Sequence, residues 1–253
     1  LDRLGVDIIE AGFPIASQQE FESVTKVAKA VKRARVAALA RALDKDIDRA
    51  AAALQHAVNP TLHTFIATSE IHMEHKLRMT RQQVLENAAA AVARAKKQIP
   101  CVEFSAEDAT RSDWDFLAQV ASAAIAAGAD VINLPDTVGY TPPDEIREMF
   151  RYVIANAKGS DKVIFSSHNH NDLGLAVANA LAAVEGGARQ IECTVNGIGE
   201  RAGNTSLEEV VMAINTRSDR FNYECGVITK EIVPSSTLLS MITGLTIPFN
   251  KPI

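Results

Sequence analysis

The chain has 253 residues, 47% of them hydrophobic and 23% charged, which is enough to bury one substantial core and too apolar for a disordered or fibrous protein. Its 26 basic and 31 acidic residues leave a net charge of −5, with no basic block of the kind that neutralises a phosphate backbone, so no nucleic acid is expected as a partner. Charged or turn residues interrupt every apolar stretch before the roughly 18 residues that cross a bilayer. The opening residues do not read as a signal peptide, and Cys101, Cys193 and Cys225 form no C-x-x-C pair; a protein away from membranes, in a reducing cytoplasm, is expected.

Short β-branched runs alternate with longer stretches of helical period along the chain. It opens on what reads as the end of a helix at 1–4, followed by a strand at 6–13 and a helix at 18–32. Ser17 and Glu20 have the spacing of a capping box at that helix start. A strand at 35–40 and a helix at 47–57 follow, then a strand at 62–67 and a charged stretch holding His72 and His75. Thr80 and Gln83 cap a helix at 82–97 in the same way. Next come a strand at 102–105, a helix at 114–127, a strand at 131–134 and a helix at 144–157. Pro142 and Pro143 enter this last helix where a first turn tolerates proline. Strands at 163–167 and 190–195 flank a helix at 173–186, Thr205 with Glu208 marks another box before a helix at 206–214, and a final helix is predicted at 228–243.

Seven strands in a uniform βα repeat of roughly 30 residues favour a (β/α)8 TIM barrel over an open doubly wound sheet. Such a barrel needs eight strands, so the first is expected to precede residue 1. Residues 1–220 then read as the catalytic barrel lacking that strand, and 221–253 as a helix and linker toward a further subdomain.

In parallel barrels the chemistry sits at strand C-termini and in the loops that follow. The run Ser-His-Asn-His-Asn-Asp at 167–172 ends a predicted strand. Side chains two apart on a strand point the same way, so His168 and His170 can share one metal ion. The next loop, Asn-Gly-Ile-Gly-Glu-Arg-Ala-Gly-Asn at 196–204, has three glycines that let backbone approach a ligand, and Asn204 can add an oxygen donor. Ser105 and Glu107 are also two apart and are expected to face the mouth together. Glu10 points into the barrel by alternation, either supporting the ligands or as a buried hydrogen-bonding group. His72 and His75 read as solvated or loop-bridging, and His56, late in a helix, suits the helix dipole.

The two loops just quoted, with their continuations Leu-Gly-Leu-Ala-Val-Ala-Asn and Thr-Ser-Leu-Glu-Glu, carry a family resemblance. So do the eleven residues from Leu4, His-Thr-Phe-Ile-Ala-Thr-Ser from His63, the stretch 72–79, Val-Glu-Phe-Ser-Ala-Glu-Asp from Val102 and Asn-Leu-Pro-Asp-Thr-Val-Gly-Tyr from Asn133. Together they resemble the Claisen-condensing barrels, the family of 2-isopropylmalate, homocitrate and citramalate synthases, and most closely the first of these. The resemblance implies acetyl-CoA and 2-oxoisovalerate as substrates, 2-isopropylmalate and CoA as products, a homodimer, and a divalent metal that is Mg²⁺ or Mn²⁺ with Zn²⁺ also compatible. By position it makes His168, His170 and Asn204 the metal ligands, Glu107 a catalytic carboxylate, and His63, Ser105 and Thr137 contacts to the 2-oxo acid.

The same family carries an Arg-Asp-Gly-Glu-Gln strand whose aspartate completes the metal shell, and beyond the barrel a subdomain with a catalytic histidine and a leucine-sensing domain. None of these is in the sequence, so these residues alone are expected to bind metal weakly and turn over little. A barrel lyase of the hydroxymethylglutaryl-CoA type is the alternative; that group usually places a cysteine in the glycine-rich loop, and 196–204 has none. Amidohydrolases with an H-x-H pair need further histidines on later strands, whereas none follows His170.

Overall fold

The computed structural model describes residues 1–252; Ile253, the last residue of the expected tail, lies outside them. All seven predicted strands form, as β1 (Ile8–Glu10), β2 (Arg35–Arg41), β3 (Pro60–Ala67), β4 (Cys101–Glu107), β5 (Val131–Asp136), β6 (Ile164–Asn169) and β7 (Gln190–Glu192). They pair in chain order, every neighbour parallel. The helices between them are α1 (Gln18–Ala30), α2 (Asp44–Leu54), the short α3 (Glu70–His72), α4 (Arg81–Lys96), α5 (Trp114–Ala127), α6 (Pro143–Asn156) and α7 (Ala176–Gly186), with α8 (Leu207–Thr216) and α9 (Ile232–Thr243) after the last strand. The result is a curled sheet of seven strands with open edges at β1 and β7, which fits a (β/α)8 barrel missing one strand.

Strand alternation divides the molecule into two chemistries. Val36, Ala38 and Ala40 of β2, Leu62 and Ile66 of β3, Val102, Phe104 and Ala106 of β4 and Ile132 and Leu134 of β5 all belong to one buried cluster with the inner faces of the helices. Residues of the other parity line the concave side, and there β1, β3, β4, β5, β6 and β7 contribute Glu10, His63, Glu103, Ser105, Asn133, Ser166, His168, Gln190 and Glu192. The apolar core therefore sits between sheet and helices, and the interior of the barrel is polar. Small alanines on α2, α4 and α5, such as Ala50, Ala88, Ala91 and Ala121, let the helices pack close to the sheet.

Local signals mostly act as the sequence predicts. Ser17 Oγ accepts from Glu20 N at the start of α1, and Thr80 with Gln83 forms a reciprocal capping box on α4. Replacing Thr80 with Ala leaves those amides uncapped and is expected to cost about 1 kcal/mol, read as a lowered chemical-denaturation midpoint at unchanged m-value; no shift would mean that α4 is held by packing alone.

Four expectations are corrected. Residues 1–4 form a turn closed by Gly5 N donating to Leu1 O, with no helix. Thr205 and Glu208 make no capping box, since α8 starts from Ser206 without a side-chain cap. Thr205 Oγ1 instead donates to the carbonyls of Asn169 and Ala176, and Glu208 accepts from Asn196 N. The helix expected from 173 begins only at Ala176, because Gly174 takes a left-handed conformation and Asn171 Oδ1 accepts from Ala176 N. The last strand stops at Glu192, after which the chain turns through a 3-10 helix at Val195–Gly197.

After α8 the chain runs back to the open edge. Cys225 and Val227 pack with Leu4, Val6, Leu207, Val211 and Ile232, and Ile228 N donates to Leu4 O. Among the described residues no helix is long and apolar enough to cross a membrane.

Candidate functional site

His168 is the fifth residue of β6, and His170 stands just beyond that strand's end. Their rings lie 4.8 Å apart between centroids, while Asn169 between them points away and is buried. Asn204 reaches the pair through an antiparallel bridge between its backbone and that of His170. The three residues expected as metal ligands are thus brought together.

Each imidazole is anchored through Nδ1. His168 Nδ1 donates to Glu192 Oε2 at 2.8 Å, directly across the β6–β7 register. His170 Nδ1 accepts from Arg201 Nη2 at 2.6 Å, and Arg201 also donates to both carboxylate oxygens of Asp172 and to Thr137 O. Burial depresses the His170 pKa, and the charges of His168 and Arg201 take it further, to about 4. Burial likewise opposes the charged form of His168, but the hydrogen bond and charge of Glu192 outweigh it and raise that ring's pKa.

The donor chemistry fits a divalent cation. Asn204 Oδ1 is buried without a hydrogen-bond partner, an acceptor that stays costly until something electropositive faces it. It lies beside His168, whose ring Glu192 fixes from behind in the way usual for metal-ligating histidines. The lone pair of His170 that Arg201 now occupies is already serving a cation. His168, His170 and Asn204 could together hold a cation, and mixed nitrogen and oxygen donors suit Mg²⁺, Mn²⁺ or Zn²⁺.

A second group of donors lies deeper in the barrel. His63, Glu103 and Glu192 each bring one ligand atom within 4.8 Å of the others, so the barrel holds a further set able to bind a metal. Its members are largely spoken for: His63 Nδ1 donates to Glu10 Oε2 at 2.5 Å and Nε2 to Ser105 Oγ at 2.6 Å, and Glu103 Oε1 accepts from Gln190 at 2.8 Å. Burial opposes charge on His63, but Glu10 and Glu103 overcome it and push its pKa up to about 10. Burial pushes the Glu103 carboxyl up to about 8, whereas Glu192, facing His168 and His63, is held down at about 2 despite its burial. The cluster is therefore a cationic His63 among carboxylates of which Glu192 is ionised and Glu103 keeps its proton near neutrality.

Ser105 accepts from both His63 and Asn133 Nδ2, so its own hydroxyl proton is left to donate toward a ligand. Glu107 does not join it: the carboxylate turns to Lys76 Nζ at 2.5 Å, an ion pair between the end of β4 and the π-helical turn Met73–Leu77. Thr137 Oγ1 accepts from Asp108 N at 3.0 Å. His72 bridges loops as expected, its Nδ1 within 2.9 Å of Asp108 Oδ2, and His75 is exposed beside Glu74.

Sequence reasoning missed Glu103, Glu192, Arg201 and Asp108. Two of them carried a legible signal, since Glu103 shares the parity of Ser105 and Glu107, and Glu192 is a charge in the last short strand. Arg201 and Asp108 carried none, because their left-handed backbone (φ 54° and 65°) depends on the folded loops. Gly199 shows how tightly the glycine-rich loop closes on Asn204: a Cβ there would stand 1.9 Å from Asn204 Oδ1. Gly199→Ala is expected to displace that oxygen and weaken Mn²⁺ binding by about tenfold, as for other perturbed ligand supports; titration followed by electron paramagnetic resonance measures it, and unaltered affinity would remove Asn204 from the ligand set.

Comparison with known proteins bears on this site. Over all 253 residues the chain is 58% identical to a 2-isopropylmalate synthase of Halalkalibacterium halodurans and 57% identical to one of Nitratidesulfovibrio vulgaris, covering 49% of each. It thus spans about half the length of the curated relatives it matches. Among solved structures, a hydroxymethylglutaryl-CoA lyase from Pseudomonas aeruginosa superposes with a TM-score of 0.79 at 22% identity, over 97% of this chain and 84% of that one. A lyase from Acinetobacter baumannii, in complex with coenzyme A and 3-methylmalate, gives 0.76 at 19%, over 98% and 82%. These two show the fold. Residues 1–238 match the HMGL-like family, and with that match over nearly the whole described barrel the chain belongs to the HMGL-like family.

Proposed function

We propose that the protein containing this chain condenses acetyl-CoA with 2-oxoisovalerate to give 2-isopropylmalate and CoA, the first committed step of leucine synthesis. The observation that carries this reading is the donor set of His168, His170 and the unpartnered Asn204 oxygen at the mouth of a barrel that is 58% identical throughout to a 2-isopropylmalate synthase. A lyase reading has the shared family match and fold similarity at 22% identity, against 58% for the synthase.

When bound, a divalent cation, Mg²⁺ or Mn²⁺ by resemblance, supplies Lewis acidity to the keto and carboxylate oxygens of the 2-oxo acid. The remaining work belongs to side chains. Ser105 donates its free hydroxyl proton to the substrate carboxylate, and cationic His63 beneath it keeps that hydroxyl oriented. Thr137 closes the same wall from the loop just after β5. Glu107, once released from Lys76, takes the methyl proton of the acetyl thioester; the resulting enolate carbon bonds to the ketone carbon as the ketone oxygen gains a proton, and water then cleaves the thioester to leave 2-isopropylmalate and free CoA. Glu192 holds the His168 imidazole in register from behind, and Arg201 covers the His170 lone pair until a cation takes its place.

The same reading makes 1–220 the catalytic barrel and the remainder a connection to a further subdomain of a cytoplasmic homodimer. Exposed Val233, Leu238, Met241 and Ile242 on α9 are the apolar surface which that subdomain or a partner would cover. The deciding experiment is an assay of the full-length protein with acetyl-CoA and a panel of 2-oxo acids, following free CoA thiol. Preference for 2-oxoisovalerate is expected; preference for pyruvate or 2-oxoglutarate would overturn the substrate, and lack of condensation with all of them would overturn the reaction.

A further inference from the structure

Beside the mouth, apart from the metal and oxo-acid residues, a solvent-open cavity of about 340 Å³ is lined by Ile71, His72, His75, Lys76 and Arg111. Four of these five residues carry basic side chains. The volume is at the lower end for small-molecule sites, room for a diphosphate and part of what it carries. The floor is built from below. Fully buried Asp108 accepts from Arg111 Nε at 2.9 Å and Nη2 at 2.8 Å, and its Oδ2 lies 2.9 Å from His72 Nδ1. Ser69 Oγ donates to the same carboxylate, and the backbone amide of Asp108 is tied to Thr137. Arg111 and His72 are thereby held with their outer nitrogens left for a ligand.

Lys76 differs from its neighbours in having a functional carboxylate for a partner. It stands in a five-residue π-helical turn closed by Arg78 in the left-handed region, and its ammonium, on a flexible four-carbon stem, pairs with Glu107. One cation thus belongs at once to the basic cavity and to the carboxylate that the proposed reaction needs free.

We propose that this cavity seats the diphosphate of coenzyme A and that its arrival draws Lys76 off Glu107, so that binding of the acyl carrier releases the base. The proposal rests on the acetyl-CoA reading above. A diphosphate offers Lys76 more negative charge and more acceptor oxygens than one carboxylate, and charge-assisted hydrogen bonds to it are the stronger kind. Coupling through Lys76 is reciprocal: the charge on Glu107 competes with the anion, and removing that charge must tighten anion binding.

The test uses the full-length protein, without 2-oxo acid, and calorimetric titration with ADP, with CoA and with pantetheine, which lacks the diphosphate. Lys76→Gln is expected to weaken ADP and CoA by about tenfold, the loss of one charge-assisted hydrogen bond. His75→Gln, at an exposed position, is expected to weaken them less. Glu107→Gln is expected to tighten ADP several-fold, and pantetheine is expected to respond to none of these changes. ADP affinity indifferent to Lys76→Gln would overturn the site, and ADP affinity unchanged or weakened by Glu107→Gln would overturn the release. A misfolded variant cannot imitate a gain in affinity. Should no 2-oxo acid be condensed while ADP keeps this pattern, the reaction falls and the diphosphate site stands; condensation with ADP and CoA both insensitive to Lys76 gives the reverse.

Discussion

Glu107→Gln in the full-length protein is expected to lower kcat for thiol release from acetyl-CoA by about 10²–10⁴-fold, the span of a positioned general base. Glutamine keeps the shape of the side chain and still accepts from Lys76, so the fold has no reason to change. What disappears is the capacity to take a proton. Glu107 is only partly buried, and in the present geometry its charge is balanced by Lys76, so its role depends on leaving that partner. Two readouts separate a base from a binding group. Exchange of deuterium from solvent into the acetyl methyl should fall with kcat, and the KM for the 2-oxo acid should stay within a factor of a few, because Ser105, His63 and Thr137 are untouched. A loss smaller than tenfold, or methyl exchange that persists at the wild-type rate, would reduce Glu107 to a structural partner of Lys76.

The parts of this molecule legible in the sequence are those fixed by short-range patterns. Seven strands appear because β-branched runs recur between helical stretches, and α5 begins and ends where Asp113 and Gly128 flank an apolar period. The pair His168 and His170 was legible for the same reason: two residues apart on a strand is a local geometry. Ser105 and Glu107 show the limit of that argument, since equal parity put them on one face but Lys76, 31 residues away from Glu107 in sequence, turned one of them aside. Thr205 shows it again at a helix start. Its spacing to Glu208 satisfied a capping rule, yet the hydroxyl had better acceptors in Asn169 and Ala176, which only folding brings near. The polar barrel interior was half visible. A carboxylate in a strand buried on both faces, such as Glu103, has to meet another polar group, but its partner Gln190 lies 87 residues on, a distance no local pattern spans.

Glu192→Gln and Glu103→Gln make the same change in two neighbouring carboxyl groups and are expected to differ in effect. Glu192 is the ionised member and fixes His168 Nδ1. Its replacement removes the charge that orients the ring, and Mn²⁺ affinity should fall by about 10–100-fold, as for other partners of ligating histidines. Glu103 keeps its proton, so glutamine imitates it, and Mn²⁺ affinity should hardly move. Acid stability then distinguishes them further. The folded pKa of Glu103 lies near 8 against 4.5 for the unfolded group, chiefly through burial, so the folded state binds a proton that the unfolded chain has released. Stability from this group must fall as pH rises from about 4.5 to 8. Glu192 runs the other way, its contribution complete above 4.5 and lost as pH drops toward 2. His63, raised from 6.5 to about 10, adds stability below 6.5 that fades only above it, which leaves the interval from about pH 5 to 6.5 to Glu103 alone among these three. Across that interval the unfolding temperature of Glu103→Gln should gain on the wild type as pH increases. If the two curves stay parallel, Glu103 is not the protonated member of the pair, and the charge assignment beneath the histidines has to be reversed.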